Sequence, residues 1–328
     1  MQQSVQTTLE DIVHPISEAL KCFEEEYRLQ LQTDADFLQP FLDYIAQKRG
    51  KRLRPILFFL SQGLVDRPRS DSVMVAVLIE LLHTATLIHD DVVDRSFVRR
   101  GRSTLNALWG DRVSVLVGDY LLAKMLALGV GMQNGAVLET VARIVQNISR
   151  GELRQTTEGA EENLSVETYL QIVRDKTADL FGAACELGGL TVSASESETD
   201  LLRRFGEMYG LVFQIRDDVL DISGSPDVMG KPAGQDVMNG KVTLPLLLAL
   251  EGRPRAEKQS FFDRLKHDAN GNDGWLGEFI REGCGIDRAQ KEAENYAKEA
   301  LKMLESFKSS LYRKSMEKIV IHNLNRPG

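Results

Sequence analysis

From Val73 to Ile88 the chain is apolar on nearly every face of a helix, and this run ends in His89, Asp90, Asp91 and Asp94. A helix that is apolar all round belongs inside a large bundle, so other helices must surround it. Apolar residues at three-and-four spacing predict two helices over 9–48, with a break near Thr33 and Asp34. Further helices are predicted over about 55–65, 71–94, 111–132, 136–158, 165–195, 199–223, 242–251, 256–268, 273–282 and 286–322. Alternating β-branched runs between turns are nearly absent. Only 9 of the 328 residues are proline, which favours long uninterrupted helices. The expectation is an all-α protein, one large helical domain over 1–328, because no shift of composition marks a linker.

The helix over 199–223 repeats the pattern. Phe205, Met208, Tyr209, Val212, Ile215, Val219 and Ile222 recur in near three-and-four steps, and Asp217, Asp218 and Asp221 cluster at its end. In DDVVD and in DDVLD the outer aspartates are four apart, so Asp90 and Asp94 share one helix face, as do Asp217 and Asp221. Like charges at that spacing repel, and the C-terminal end of the helix dipole disfavours them again. Two such arrangements on apolar helices call for a compensating cation. Carboxylate oxygens suit Mg2+, which binds through one or two carboxylates together with substrate phosphates. Facing helices would clamp metal ions and a diphosphate between the motifs. A solvated acidic helix end is the plain alternative for either motif alone. The DxDxDG pattern of an EF-hand calcium loop is missing.

Basic residues complement the acids: Lys51, Arg52 and Arg54 in GKRLRP, Arg99 and Arg100 in RRG, Lys176 in RDKTADL, and Lys231 with Lys241 nearby. Arginine forks match phosphate oxygens, and lysine supplies a compact charge. Each patch taken alone also reads as ordinary surface. The balance of 40 basic against 48 acidic residues gives a net charge of −8, which disfavours a general nucleic-acid partner. Cys22, Cys185 and Cys284 are scattered and lack CxxC spacing. They suggest neither a disulfide framework nor a zinc site and fit a reducing, cytoplasmic setting. The polar start MQQSVQTTLEDIV lacks a signal-peptide pattern. No run of about 18 apolar residues occurs, so no transmembrane helix is expected.

LIHDDVVDRSFVRRG (87–101), FQIRDDVLD (213–221) and GKPAGQDVMNGKVTLP (230–245) resemble the trans-isoprenyl diphosphate synthases, and within them the long-chain polyprenyl group. GKRLRP (50–55) and DKTADLFGAAC (175–185) match further blocks of that family. The resemblance is strongest over about 45–245. It implies an isoprenoid-synthase bundle with a central cavity, magnesium dependence and a homodimer, with residues 112–150 as a candidate interface. It implies Asp90 and Asp94 as magnesium ligands from the first motif and Asp217 from the second. Asp91, Asp218 and Asp221 would support them. Lys51, Arg54, His83 and Arg100 would hold isopentenyl diphosphate. Arg99, Lys176 and Lys231 would grip an allylic diphosphate such as farnesyl diphosphate. Thr177 and Gln214 would lie near the developing cation, and Arg326 corresponds to the C-terminal arginine that helps close the site. The glycine-rich stretch 224–241 is a candidate lid. His83, one turn along an apolar helix, also fits a satisfied core histidine.

The implied reaction is ionisation, condensation and elimination. It needs no protein nucleophile, and the sequence carries no Ser/His/Asp or Cys/His signature. At about 1.5 Å of rise per residue, the position five before Asp90 lies roughly 7.5 Å below the motif. That position is Ala85, with Thr86 beside it. Short-chain relatives tend to block this level with aromatic rings, so Ala85 implies an open tunnel and a product longer than twenty carbons. Leu78, Leu82, Met125 and Leu126 are candidates for its floor. Three rivals remain at this stage. A terpene cyclase or head-to-head synthase often alters the second aspartate motif, a non-catalytic partner subunit would lose aspartates, and a helical scaffold would not bind diphosphates through metal.

Overall fold

The computed structural model describes residues 8–47, 50–99, 101–158, 165–223, 234–238, 240–267 and 274–326. α1 (Leu9–Val13) and a 3-10 turn (His14–Ile16) lead into α2 (Ser17–Gln30). There follow α3 (Gln39–Ala46), α4 (Leu53–Val65), α5 (Val73–Val93), α6 (Leu105–Trp109), α7 (Asp111–Gly131), α8 (Gly135–Glu158), α9 (Val166–Val173), α10 (Asp179–Thr191) and α11 (Glu196–Ser223). The C-terminal part holds α12 (Gln235–Met238), α13 (Leu244–Leu250), α14 (Arg255–His267), α15 (Trp275–Glu282), α16 (Gly285–Leu304) and α17 (Leu311–Leu324). Among the described residues the only β pairing is a two-residue antiparallel ladder, Val98–Arg99 with Arg102–Ser103. The all-α expectation is borne out.

Several predicted segments differ from what forms. The stretch 95–110, between the helices predicted over 71–94 and 111–132, holds that ladder and α6. The helix expected over 165–195 is interrupted by a π-turn at Arg174–Ala178. The extra residue of such a turn re-aims the side chains it carries, here Lys176 and Thr177. The helix expected over 286–322 is two helices, α16 and α17. Ser310 caps the second, its hydroxyl accepting from the Arg313 N–H at 3.1 Å. A serine before an apolar run is an N-cap signal, and the periodicity on either side masked it.

α5 is the buried pillar: Val75–Leu82, Ala85 and Ile88 are all buried. It packs on α7 and α2, while α10 lies between α4 and α11, and α11 packs on α16. The α10–α11 crossing is close because both helices use small residues. A Cβ added at Gly206 would fall 2.4 Å from the Phe181 carbonyl oxygen and 2.7 Å from the Gly182 Cα. One added at Gly210 would fall 2.5 Å from the Ala178 Cα. This contact sets the second aspartate helix against the π-turn.

Two helical segments, Ser70–Val93 and Asp111–Gly131, are long and apolar enough to cross a membrane by length and composition alone. A search for uninterrupted apolar runs does not pick them out, because scattered polar residues break the runs without lowering the mean hydropathy enough. The first segment is 67% buried within the protein, as a core helix is; the second is 33% buried. α7 leaves Val115, Leu116, Leu126 and Val130 exposed.

Candidate active site

Each motif splits its aspartates between one buried member and others that are partly exposed. In the first, Asp91 is buried and accepts from Arg99 Nε at 2.6 Å, while its backbone carbonyl accepts from Ser96 N–H (2.9 Å) and Asn106 Nδ2 (3.2 Å). Asp91 therefore fastens the loop after α5. Asp90 is half-buried, and burial pushes its carboxyl up to about 6; Lys176 opposes the rise, and Glu152 and Asp94 add to it. Asp94, at the end of α5, accepts from Lys241 Nζ at 2.6 Å.

In the second motif Asp218 is the scaffold member. Its Oδ2 accepts from the Tyr169 hydroxyl at 2.6 Å and the Leu244 N–H at 3.1 Å, and its Oδ1 from Gln214 Nε2 at 3.0 Å. Burial pushes its carboxyl up to about 6 as well. Asp217 is ion-paired with the Arg326 guanidinium. The Arg326 carbonyl accepts from Arg216 Nη2 at 2.9 Å, and its Cζ stands 5.1 Å from the Phe213 ring centroid. Asp221 receives the Asp236 N–H on Oδ2 at 3.2 Å and the Gly234 N–H on its carbonyl at 2.8 Å.

These contacts join the two motifs. Lys241 Nζ, 2.6 Å from Asp94, is 3.9 Å from Asp236 Oδ1, and Asp236 in turn donates to Asp221. The ends of α5 and α11 therefore meet at one place. On the adjoining wall the π-turn presents Lys176, 2.5 Å from Glu152 and 2.9 Å from Gln155 of α8. Thr177 donates to Gln214 Oε1 at 3.3 Å. A carboxylate only accepts, so Gln214 turns its NH2 to Asp218 and its carbonyl oxygen to Thr177.

Lys51 stands exposed before α4. Arg54 is half-buried with its Cζ 4.3 Å from the Phe181 ring centroid, and His83 is half-buried on α5. Arg52, grouped with them by sequence, instead reaches Glu24 and Glu80. Arg100 and Lys231 lie outside the described residues, as does most of the expected lid. Along α5, Ala85 is fully buried, and Thr86 is half-buried with its hydroxyl donating to the His83 carbonyl at 2.9 Å. Leu78, Leu82 and Met125 are buried, whereas Leu126 is 50% exposed.

Among the described residues no three acidic, histidine or cysteine side chains form a metal cage by themselves. Among the described residues the acidic donors that the two motifs offer are carboxylate oxygens. That chemistry suits a hard divalent cation that completes its shell with water and substrate phosphate. Sequence reasoning did not find Tyr169 or Glu152. A tyrosine in a buried helix needs a partner for its hydroxyl, and that is the one signal Tyr169 offered.

Comparison with known proteins agrees with this geometry. The sequence model of the Polyprenyl synthetase family matches residues 35–274. The "Heptaprenyl diphosphate synthase component 2" of Geobacillus stearothermophilus is 38% identical over 72% of this chain and 73% of its own length. The "All-trans-nonaprenyl-diphosphate synthase (geranyl-diphosphate specific)" of Rhodobacter capsulatus is 32% identical over 97% of this chain and 98% of its own. A crystal structure of polyprenyl synthase from Caulobacter crescentus CB15, complexed with calcium and isoprenyl diphosphate, superposes with a TM-score of 0.91 at 31% identity, covering 99% of this chain and 100% of that one. With two aspartate-ended helices meeting over a basic wall and a family match across most of its length, this chain belongs to the polyprenyl synthetase family.

Proposed function

We propose that this protein is a long-chain trans-polyprenyl diphosphate synthase. It adds isopentenyl diphosphate head-to-tail to an allylic diphosphate such as farnesyl diphosphate, giving a product longer than twenty carbons. The carrying observation is the link from Asp94 through Lys241 and Asp236 to Asp221, which puts both acidic motifs at one site.

Asp90 and Asp94 from one side and Asp217 from the other would hold Mg2+; when bound, the metal neutralises diphosphate charge as the leaving group departs. The raised Asp90 carboxyl supports this, because a carboxylate penalised by burial and by its acidic neighbours gains most from a cation. Arg99, Lys176 and Lys231 grip the allylic diphosphate, and Lys51, Arg54, His83 and Arg100 the isopentenyl one. The allylic C–O bond breaks and its electron pair leaves with the diphosphate. The isopentenyl double bond attacks the resulting cation, and a proton passes to the released diphosphate. The carbonyl oxygen of Gln214 and the hydroxyl of Thr177 face the charge that develops, a preorganised dipole of the kind that lowers such barriers. The helices exclude water, which would otherwise quench the cation. We read the chain as one catalytic domain that pairs with a second copy through the apolar face of α7.

The test is incubation with labelled isopentenyl diphosphate, farnesyl diphosphate and magnesium, followed by sizing of the products. Chain growth beyond twenty carbons is expected. Asp90→Ala or Asp217→Ala should lower turnover by about a hundred- to a thousandfold, and near-normal rates in either would end the metal-clamp reading. Activity appearing only after a different subunit is added would make this chain one half of a two-component synthase, as the name of the Geobacillus relative raises.

A further inference from the structure

Between Lys51 and Arg54 lies a basic residue that grips the protein itself. Arg52 sits at the N-cap of α4 with φ +51° and ψ +34°, a left-handed backbone that an L side chain uncommonly adopts. Its Nε donates to Glu24 Oε1 of α2 at 2.9 Å, and its Nη1 to Glu80 Oε1 of α5 at 2.7 Å. Its Cζ lies 4.5 Å from the Tyr27 ring centroid. The knot closes through Thr84, whose hydroxyl donates to the Glu80 carbonyl at 2.8 Å and is 2.8 Å from the Tyr27 hydroxyl.

The Arg52 and Glu80 side chains are 11% and 6% exposed. Burial works against the Arg52 charge, but Glu80 and Glu24 outweigh it, and the guanidinium holds its proton more firmly than usual. An incoming diphosphate would have to take the fork from Glu80 and strand a buried carboxylate, which is strongly unfavourable. Arg54 turns the other way, onto Phe181 of α10. The helix that carries Glu80 also carries His83 one turn later and then the first aspartate motif.

We propose that Arg52 is a positioning residue for isopentenyl diphosphate: by locking the left-handed turn onto Glu80, it sets where Lys51 and Arg54 stand relative to α5, and so the spacing between the two diphosphates. This rests on the assignment of Lys51 and Arg54 to isopentenyl diphosphate made above.

The experiment is steady-state kinetics on the full-length chain with magnesium, varying isopentenyl and farnesyl diphosphates separately, for Arg52→Gly, Arg52→Lys, Glu80→Gln and Lys51→Ala. Glycine keeps the left-handed backbone and removes the anchor. Arg52→Gly should raise KM for isopentenyl diphosphate about tenfold, with KM for farnesyl diphosphate and kcat changed by less than about threefold. Arg52→Lys should recover part of that loss, and Glu80→Gln should move the same KM in the same direction. If Arg52→Gly fails to fold, the two milder variants carry the test. An unchanged isopentenyl KM, or an equal rise in both KM values, would overturn the positioning role while Lys51→Ala still raises the isopentenyl KM. If Lys51→Ala leaves that KM unchanged, the assignment of Lys51 fails, and the role of Arg52 falls with it.

Discussion

Asp218 takes hydrogen bonds from Tyr169, Gln214 and the Leu244 backbone while 4% exposed. A carboxylate so engaged serves as scaffold: it holds Gln214 with its oxygen toward Thr177 and pins the start of α13. Tyr169→Phe removes one donor and leaves the others. The expected cost is about 1–3 kcal/mol, read as a fall of several degrees in the thermal midpoint, together with slower turnover. A midpoint and rate equal to wild type would mean the Tyr169 hydroxyl does not hold Asp218. The aspartates were legible because paired acids on apolar helices are anomalous in any sequence. Arg52 was misgrouped because composition near a glycine says nothing of direction: Arg52 and Arg54 are two residues apart and face different helices. Tyr169 was not legible because its partner lies 49 residues away, and local spacing carries no trace of a contact at that range.

The two motif helices work only if their neighbours hold them at the right depth. α11 is set by its backbone contact with α10, where Gly206 faces the Phe181 carbonyl and Gly182. A methyl group there meets backbone rather than a flexible side chain, so the helices must separate. Gly206→Ala should therefore cost about 1–3 kcal/mol and lower activity by displacing Gln214 from Thr177 of the π-turn. Gly277→Ala in α15 is the control, because its Cβ would meet only the Arg281 side chain at 3.5 Å. It should be neutral or stabilising by up to about 1 kcal/mol. Equal midpoints for the two variants would mean that the α10–α11 crossing is not tight. Helices with strong apolar periodicity were legible to within a few residues, α5, α7 and α8 among them. The π-turn was not, since Arg174–Ala178 keeps a helical pattern on both sides, and the excess residue shows only once α8 and α11 pack against it.

Product length belongs to the whole molecule, since a growing chain must find room among several helices at once. α5 supplies Ala85 below the first motif, α2 braces that level through Tyr27 and Thr84, and lower down Leu78 lies beside Gly129 of α7, where an added Cβ would lie 3.3 Å from Leu78 and 2.9 Å from Leu138 of α8. Ala85 is five residues before Asp90, roughly 7.5 Å along the helix axis, and it has no exposed surface. An aromatic ring at this level fills whatever passage runs beside α5. Ala85→Phe should therefore shorten the product to about fifteen to twenty carbons while the first condensation continues. Overpacking predicts something else: a loss of about 1–3 kcal/mol in stability and slower turnover, with the product spectrum unchanged. Product sizing and a thermal midpoint on the same preparation separate the two outcomes. Products of wild-type length from a fully stable Ala85→Phe enzyme would place the growing chain along some other face of the bundle and remove Ala85 from the determinants of length.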